Sequence, residues 1–191
     1  MRMTTAVRRA GARVLVLAAL ATPAAWAAGD DTGEGRSIAS AQEFLRQVLP
    51  GNRYASTVMA DILARAESEG LRAGFRTLPV IFDADPVSEC RSFLLADIRA
   101  TLFVVRDPGT GDVVETPLAE LMRDEVVGSP DGFDFGSIRA LHRAGSRVLL
   151  RFAGERRDAI VYMEGEEIAG RVHAAFDYLR RHCDTAASTG F

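Results

Sequence analysis

EEIAGRVHAAFDYLRRHC, residues 166–183, decides how the rest of the chain is read. Ile168, Val172, Phe176, Leu179 and Cys183 recur every three or four positions, with Ala175 beside them. That spacing draws one apolar stripe along an amphipathic helix, and such a stripe must be buried against another element. Glu167 with Arg171, and Asp177 with Arg181, stand on the other face at i,i+4 with the acid first, the order that stabilises a helix. Arg180, Arg181 and His182 fill the last turn, where cations complement the helix dipole.

The layer that receives the stripe is expected immediately upstream. GSIRALHRAGSRVLLRFAGERRDAIVYM, residues 136–163, reads as strands over 133–144, 147–152 and 158–163 joined by turn-like AGS and AGERR. Before it, 92–106 reads as a long strand bent or broken around Asp97, RDPGTGD (106–112) as a hairpin turn and VVETPL (113–118) as the return. Thr116-Pro117 opens a short helix through Met122, since proline suits a first turn.

The N-terminal half reads as helical. Ser37 or Ser40 caps a helix over about 38–49, with Ala41, Phe44, Leu45 and Val48 on one side. Ser40 with Glu43 fits a capping box. Pro50-Gly51-Asn52 breaks this helix, and a second one over about 54–70 turns Val58, Met59, Ile62, Leu63 and Ala66 inward, stopping at Gly70. The expected fold class is α+β: an N-terminal helical hairpin, then an antiparallel bent sheet closed by a C-terminal amphipathic helix. The expected divisions are a signal peptide (1–27), a disordered mature N-terminus (28–36), helical hairpin and linker (37–89), sheet plus helix (90–184) and a disordered tail (185–191).

The first division rests on Arg2, Arg8, Arg9 and Arg13, followed by the apolar VLVLAALATPAAWA, which ends in the small-x-small Ala25-Trp26-Ala27. The apolar run is shorter than the ~20 residues a spanning helix needs. The expectation is Sec-type export, cleavage after Ala27, residence in the periplasm or secretion, and no transmembrane anchor after cleavage. Four of the 23 basic residues and none of the 26 acidic ones lie in 1–27, so residues 28–191 carry 19 arginines against 26 acids, a net charge of −7. Such a balance speaks against a nucleic-acid partner, which wants a basic face.

Export bears on the cysteines. Two thiols in an oxidising compartment usually pair. Cys183 faces inward with the stripe, and Cys90 precedes the apolar FLLADIRATLFVV (93–105). The expected bond is Cys90–Cys183, fastening the last helical turn to the first strand; two buried free thiols are the alternative.

The meander 136–163 and the helix 166–183 together resemble the pleckstrin-homology-like layout, a bent antiparallel sheet closed by one amphipathic helix. The same ending is similar to that of small uncharacterised exported proteins of Gram-negative bacteria. The lipid-binding version of the layout implies Lys and Arg in the loop between the first two strands, whereas that loop here is the acidic DPGTGD. Layout alone does not fix function.

Motifs for chemistry are scarce. His142, His173 and His182 form no HExxH and no ligand pair at helical spacing. No serine lies in GxSxG, and DPGTGD lacks the Lys and helix of a phosphate loop. Asp83 and Asp85 read as a turn, without the further oxygen ligands of a calcium loop. No metal, cofactor or catalytic residue is expected. The resulting expectation is a non-enzymatic interaction or accessory domain of the periplasm that binds protein or peptide, in a narrower version an immunity-type protein. The alternatives are a periplasmic hydrolase using scattered Asp/Glu and His142, and a cell-envelope structural protein. The candidate partner surfaces are the helical segment 38–70, with Leu49, Asn52, Arg53 and Tyr54 in LPGNRY, and any free sheet edge open to β-augmentation. Leu49 and Tyr54 also fit a simpler role as core cover.

Overall fold

The apolar stripe of 166–183 does meet a sheet. The structure, a computed structural model, describes residues 36–122, 126–128, 131–153 and 158–184. The expected signal peptide, the tail 185–191 and all of 28–36 except Arg36 lie outside the described residues. The fold is α+β, with three antiparallel sheets and four α-helices among the described residues.

Helix α1 (Ile38–Val48) is capped by Ser37, whose hydroxyl accepts the Ser40 amide while the Ser40 hydroxyl accepts the Ser37 amide. The reciprocal pair is thus Ser37/Ser40. Glu43 instead takes Arg46 and Gln47 along the helix, and these donors hold its carboxyl down to about 2. Leu45 and Leu49 are buried, and the Asn52 amide group donates to the carbonyls of Val48 and Leu49.

A strand, β1 (Arg53–Ser56), stands between α1 and the next helix, α2 (Thr57–Ser68). Strands β2 (Arg72–Phe75), β3 (Val80–Asp83), β4 (Pro86–Ser88), β5 (Arg91–Ser92), β6 (Leu95–Asp97) and β7 (Leu102–Arg106) follow. The stretch 92–106 is therefore three strands, interrupted at 93–94 and 98–101. Next come β8 (Val113–Pro117), the short helix α3 (Leu118–Met122), β9 (Val126–Gly128) and β10 (Phe133–Asp134). A 3-10 turn (Phe135–Ser137) leads to β11 (Ile138–Ala144), β12 (Arg147–Phe152), β13 (Ala159–Tyr162) and helix α4 (Glu166–Cys183).

The main sheet runs β11-β12-β13-β1-β3-β6-β9. Residues 37–89, read from sequence as helices and linker, thus put two strands into the middle of this sheet. Tyr54 pairs with Val161 and Arg53 with Val80, so one partner of β1 lies more than a hundred residues downstream in sequence. The other described strands form two three-stranded sheets, β10-β5-β4 and β2-β7-β8, interleaved in sequence with the main sheet.

Helix α4 packs on β11, β12, the 3-10 turn and α1. Val172, Phe176 and Leu179 are fully buried, and Phe176 meets the rings of Phe133 and Phe135. On the outer side Asp177 takes both Arg180 and Arg181. Partial burial pushes its carboxyl up, but the Arg180 hydrogen bond and the nearby guanidiniums outweigh that and leave it below its ordinary value. Arg171 turns back over the Phe44 ring, joining α4 to α1. The helix ends where Cys183 is bonded to Cys90, with their Cα atoms 5.5 Å apart. No described helix is long and apolar enough to cross a membrane.

Candidate functional site

The small sheet β2-β7-β8 has two faces, and period-2 alternation assigns its residues to them. Register places Phe75 opposite Phe103 and Val105 opposite Val114 on one face. Phe75 and Phe103 pack with ring centroids 5.5 Å apart. Over this face runs α2, which follows β1 without a side-chain cap on its first turn. Its apolar stripe divides there. Met59 and Ala66 are buried, while Val58 and Ile62 stay half-exposed and look across a gap towards the sheet.

That gap is a cleft of about 550 Å³. Val58 and Ile62 form one wall, Phe103 and Val105 the other, and Leu121 and Met122 of α3 close one end. Asp61, Arg65 and Glu69 from successive turns of α2 also line it. The volume falls in the range of ordinary small-ligand and side-chain pockets, which are mostly apolar with few polar groups.

Next to the cleft the sheet stops. β8 is a terminal strand, and register gives it one neighbour, β7. Val113 and Val114 on it are 45% and 60% exposed, and Leu121, one turn into α3, is 44% exposed. Folded proteins usually blunt such an edge with charge, proline or cover. Here Glu115, paired with Arg76 across the sheet, and Pro117 at the far end supply part of that protection. The two valines do not.

The LPGNRY segment is divided between core and surface. Leu49 and Tyr54 are buried in the core, and burial pushes the Tyr54 phenol up to about 12. Asn52 is spent on the end of α1, and exposed Arg53 donates to the Leu78 carbonyl. Leu49 and Tyr54 therefore cover the core, while Pro50, Gly51 and Arg53 of the segment are exposed. His142 is exposed on β11, an outer strand of the main sheet, opposite Leu149, and lines neither the α2 cleft nor the open face of the small sheet. His182 stacks on Tyr178 at the end of α4. Asp83 accepts the Asp85 amide, closing a turn.

Sequence reasoning placed Val58 and Ile62 on a helix but turned both inward. It read Phe103 and Val105, the opposing wall, as part of a strand, but missed β2, the strand that pairs with β7 in the small sheet under α2. The signal available was the exposed pair Val113-Val114 in the hairpin return. Comparison with known proteins finds no family model, no curated protein and no solved structure that matches the chain.

Proposed function

We propose that the chain is an exported, non-enzymatic interaction module of the bacterial envelope. It binds an extended segment of a protein or peptide along β8, with apolar side chains of that segment entering the cleft under α2. The observation that carries this reading is exposed Val114, on a free edge strand and on the same sheet face as the Phe103 and Val105 wall of the cleft. An added strand would satisfy the outer amides and carbonyls of β8, and alternate side chains would point towards Val114 and Leu121.

Export and the periplasmic address belong to the same proposal. They are supported by the basic-then-apolar N-terminus with its Ala25-Trp26-Ala27 ending, and by a disulfide of the sort that oxidising compartments preserve. The pleckstrin-homology-like resemblance is proposed for the meander β11–β12–β13 with α4. Its support is the antiparallel order of those strands and the packing of α4 on two of them. The hydrolase alternative draws no support from the exposed position of His142.

A photo-crosslinking side chain placed at Val114, at Ile62 or at the exposed Arg139 tests the reading in envelope extract. The expected outcome is one crosslinked protein shared by the first two positions and absent from the third. Val114→Asp should remove the Ile62 crosslink. Labelling without a distinct product, or equal labelling at all three positions, would sink the proposed surface.

A further inference from the structure

The other face of the small sheet carries an unusual charge arrangement. Arg72 of β2 stands directly opposite Arg106 of β7. Directly opposed residues of an antiparallel pair hold their Cβ atoms about 5 Å apart, and like charges so placed repel. Neither arginine makes an ion pair or a side-chain hydrogen bond with a described residue, and both are exposed. The third arginine of this face, Arg76, is neutralised by Glu115.

Between these ends lies Gly74, opposite Val104. Glycine weakens a strand and often marks a close approach by a ligand or another backbone. Gly74 has no positive φ, and a Cβ built there would meet nothing within 4 Å. Neither backbone conformation nor packing asks for glycine at this position. Its effect is to leave a bare floor in a shallow cleft of about 430 Å³, walled by Arg72, Arg76 and Arg106.

We propose that Arg72 and Arg106 bind a soluble phosphate-bearing ligand, its phosphate held between the two guanidiniums on their shared rung and the rest of the ligand lying along the bare floor at Gly74. Guanidinium matches the oxygens of a phosphate in a forked, bidentate geometry, and a dianion between two unpaired arginines relieves their repulsion. A small soluble ligand fits better than a lipid surface. The β7–β8 turn beside Arg106 carries Asp107 and Asp112, whose carboxylates are held by amides and a hydroxyl within the turn. Two fixed negative charges there would oppose the approach of an anionic bilayer. This site lies on the opposite face from the proposed peptide cleft and does not depend on it.

The test is a titration of the 15N-labelled, disulfide-intact chain with inorganic phosphate at constant ionic strength, followed at the Gly74 amide and the arginine Nε–H groups. The expected result is a saturable shift that is at least tenfold weaker in Arg72→Gln/Arg106→Gln and unchanged in Arg139→Gln. Gly74→Val, which suits a strand but fills the floor beside that rung, should weaken the shift while melting no lower than the native chain. Phosphate should raise the melting temperature of the native chain and leave that of the double variant unmoved. Absence of saturation, an undiminished shift in the double variant, or sedimentation with phosphatidylglycerol vesicles without a response to phosphate would each overturn the proposal.

Discussion

The backbone of Gly136 runs so close to the carbonyl oxygen of Cys183 that a side chain there would overlap it. The contact joins the 3-10 turn before β11 to the end of α4. It sits beside the hydrogen bond from the Phe135 amide to the Cys90 carbonyl and beside the disulfide itself. Three links thus converge within a few residues. Gly136→Ala should lower unfolding stability by about 1–3 kcal/mol, the usual cost of overfilling a packed site. Gly74→Ala, where a Cβ meets open space, should be neutral or stabilising by up to about 1 kcal/mol. Urea midpoints for the two variants check the contrast, and equal losses would show that the approach at Gly136 is relieved by movement of α4.

The Cys90–Cys183 bond spans 93 positions. Closing so long a loop in the unfolded chain stabilises a fold by about 4–5 kcal/mol at most by chain entropy, and commonly by about 2–4 kcal/mol. Replacing both cysteines by alanine should cost within that lower range. Loss should concentrate at the end of α4, because the bond ties Cys183 to the β4–β5 turn at Cys90, whose carbonyl in turn accepts the Phe135 amide of the 3-10 turn. Denaturant unfolding with hydrogen exchange on the last two turns of α4 measures both. A loss below about 1 kcal/mol would mean that packing alone holds the helix end.

What was legible in the sequence divides by the distance over which each element finds its partners. α4 carries its own evidence: a helical period sustained over eighteen residues, with ordered charges. β11, β12 and β13 are neighbours in sequence and in space, so turn residues between them sufficed. The staple followed from the stripe ending on Cys183. By contrast, RYAS (53–56) and RAGF (72–75) are four residues long and lack alternation. Each is a strand because of a remote ladder, β13 for the first and β7 for the second. Nothing local distinguishes them from a helix start or a loop. The cleft stayed hidden because nothing local shows that α2 lies over Phe103 and Val105 of β7, some forty residues further on. Leu49 and Tyr54, flagged as a candidate surface, are apolar residues at a break between elements, a position equally suited to plugging the core.

The core itself makes a sharper prediction. Phe133, Phe135, Phe152 and Phe176 form one aromatic cluster, with ring centroids 5.0–6.3 Å apart along its contacts. Phe176 is the contribution of α4 and is fully buried. Phe176→Ala should cost about 3–5 kcal/mol, transfer and cavity together. Phe176→Leu, which keeps most of the volume, should cost well under half of that. Thermal unfolding of the two variants separates them. If both cost the same, ring geometry rather than filled volume would be what the cluster requires.

Tyr54 links the middle of the main sheet to alkaline stability. Its phenol is buried, and burial raises its ionisation to about 12 from an ordinary value near 10. The folded state therefore holds the proton where the unfolded chain releases it. The associated stability is fully present below about pH 10 and drains as pH rises from there towards 12. A shift of this size is worth on the order of 2–3 kcal/mol across that window. Tyr54→Phe has no phenol to ionise, so its urea midpoint should fall less steeply between pH 9 and pH 11 (about the usable range before general alkaline damage). At neutral pH the two chains should differ by no more than about 1 kcal/mol, because the ring volume is kept. Parallel pH profiles for native and variant chains would place the Tyr54 hydroxyl in contact with solvent and detach β1 from the alkaline transition.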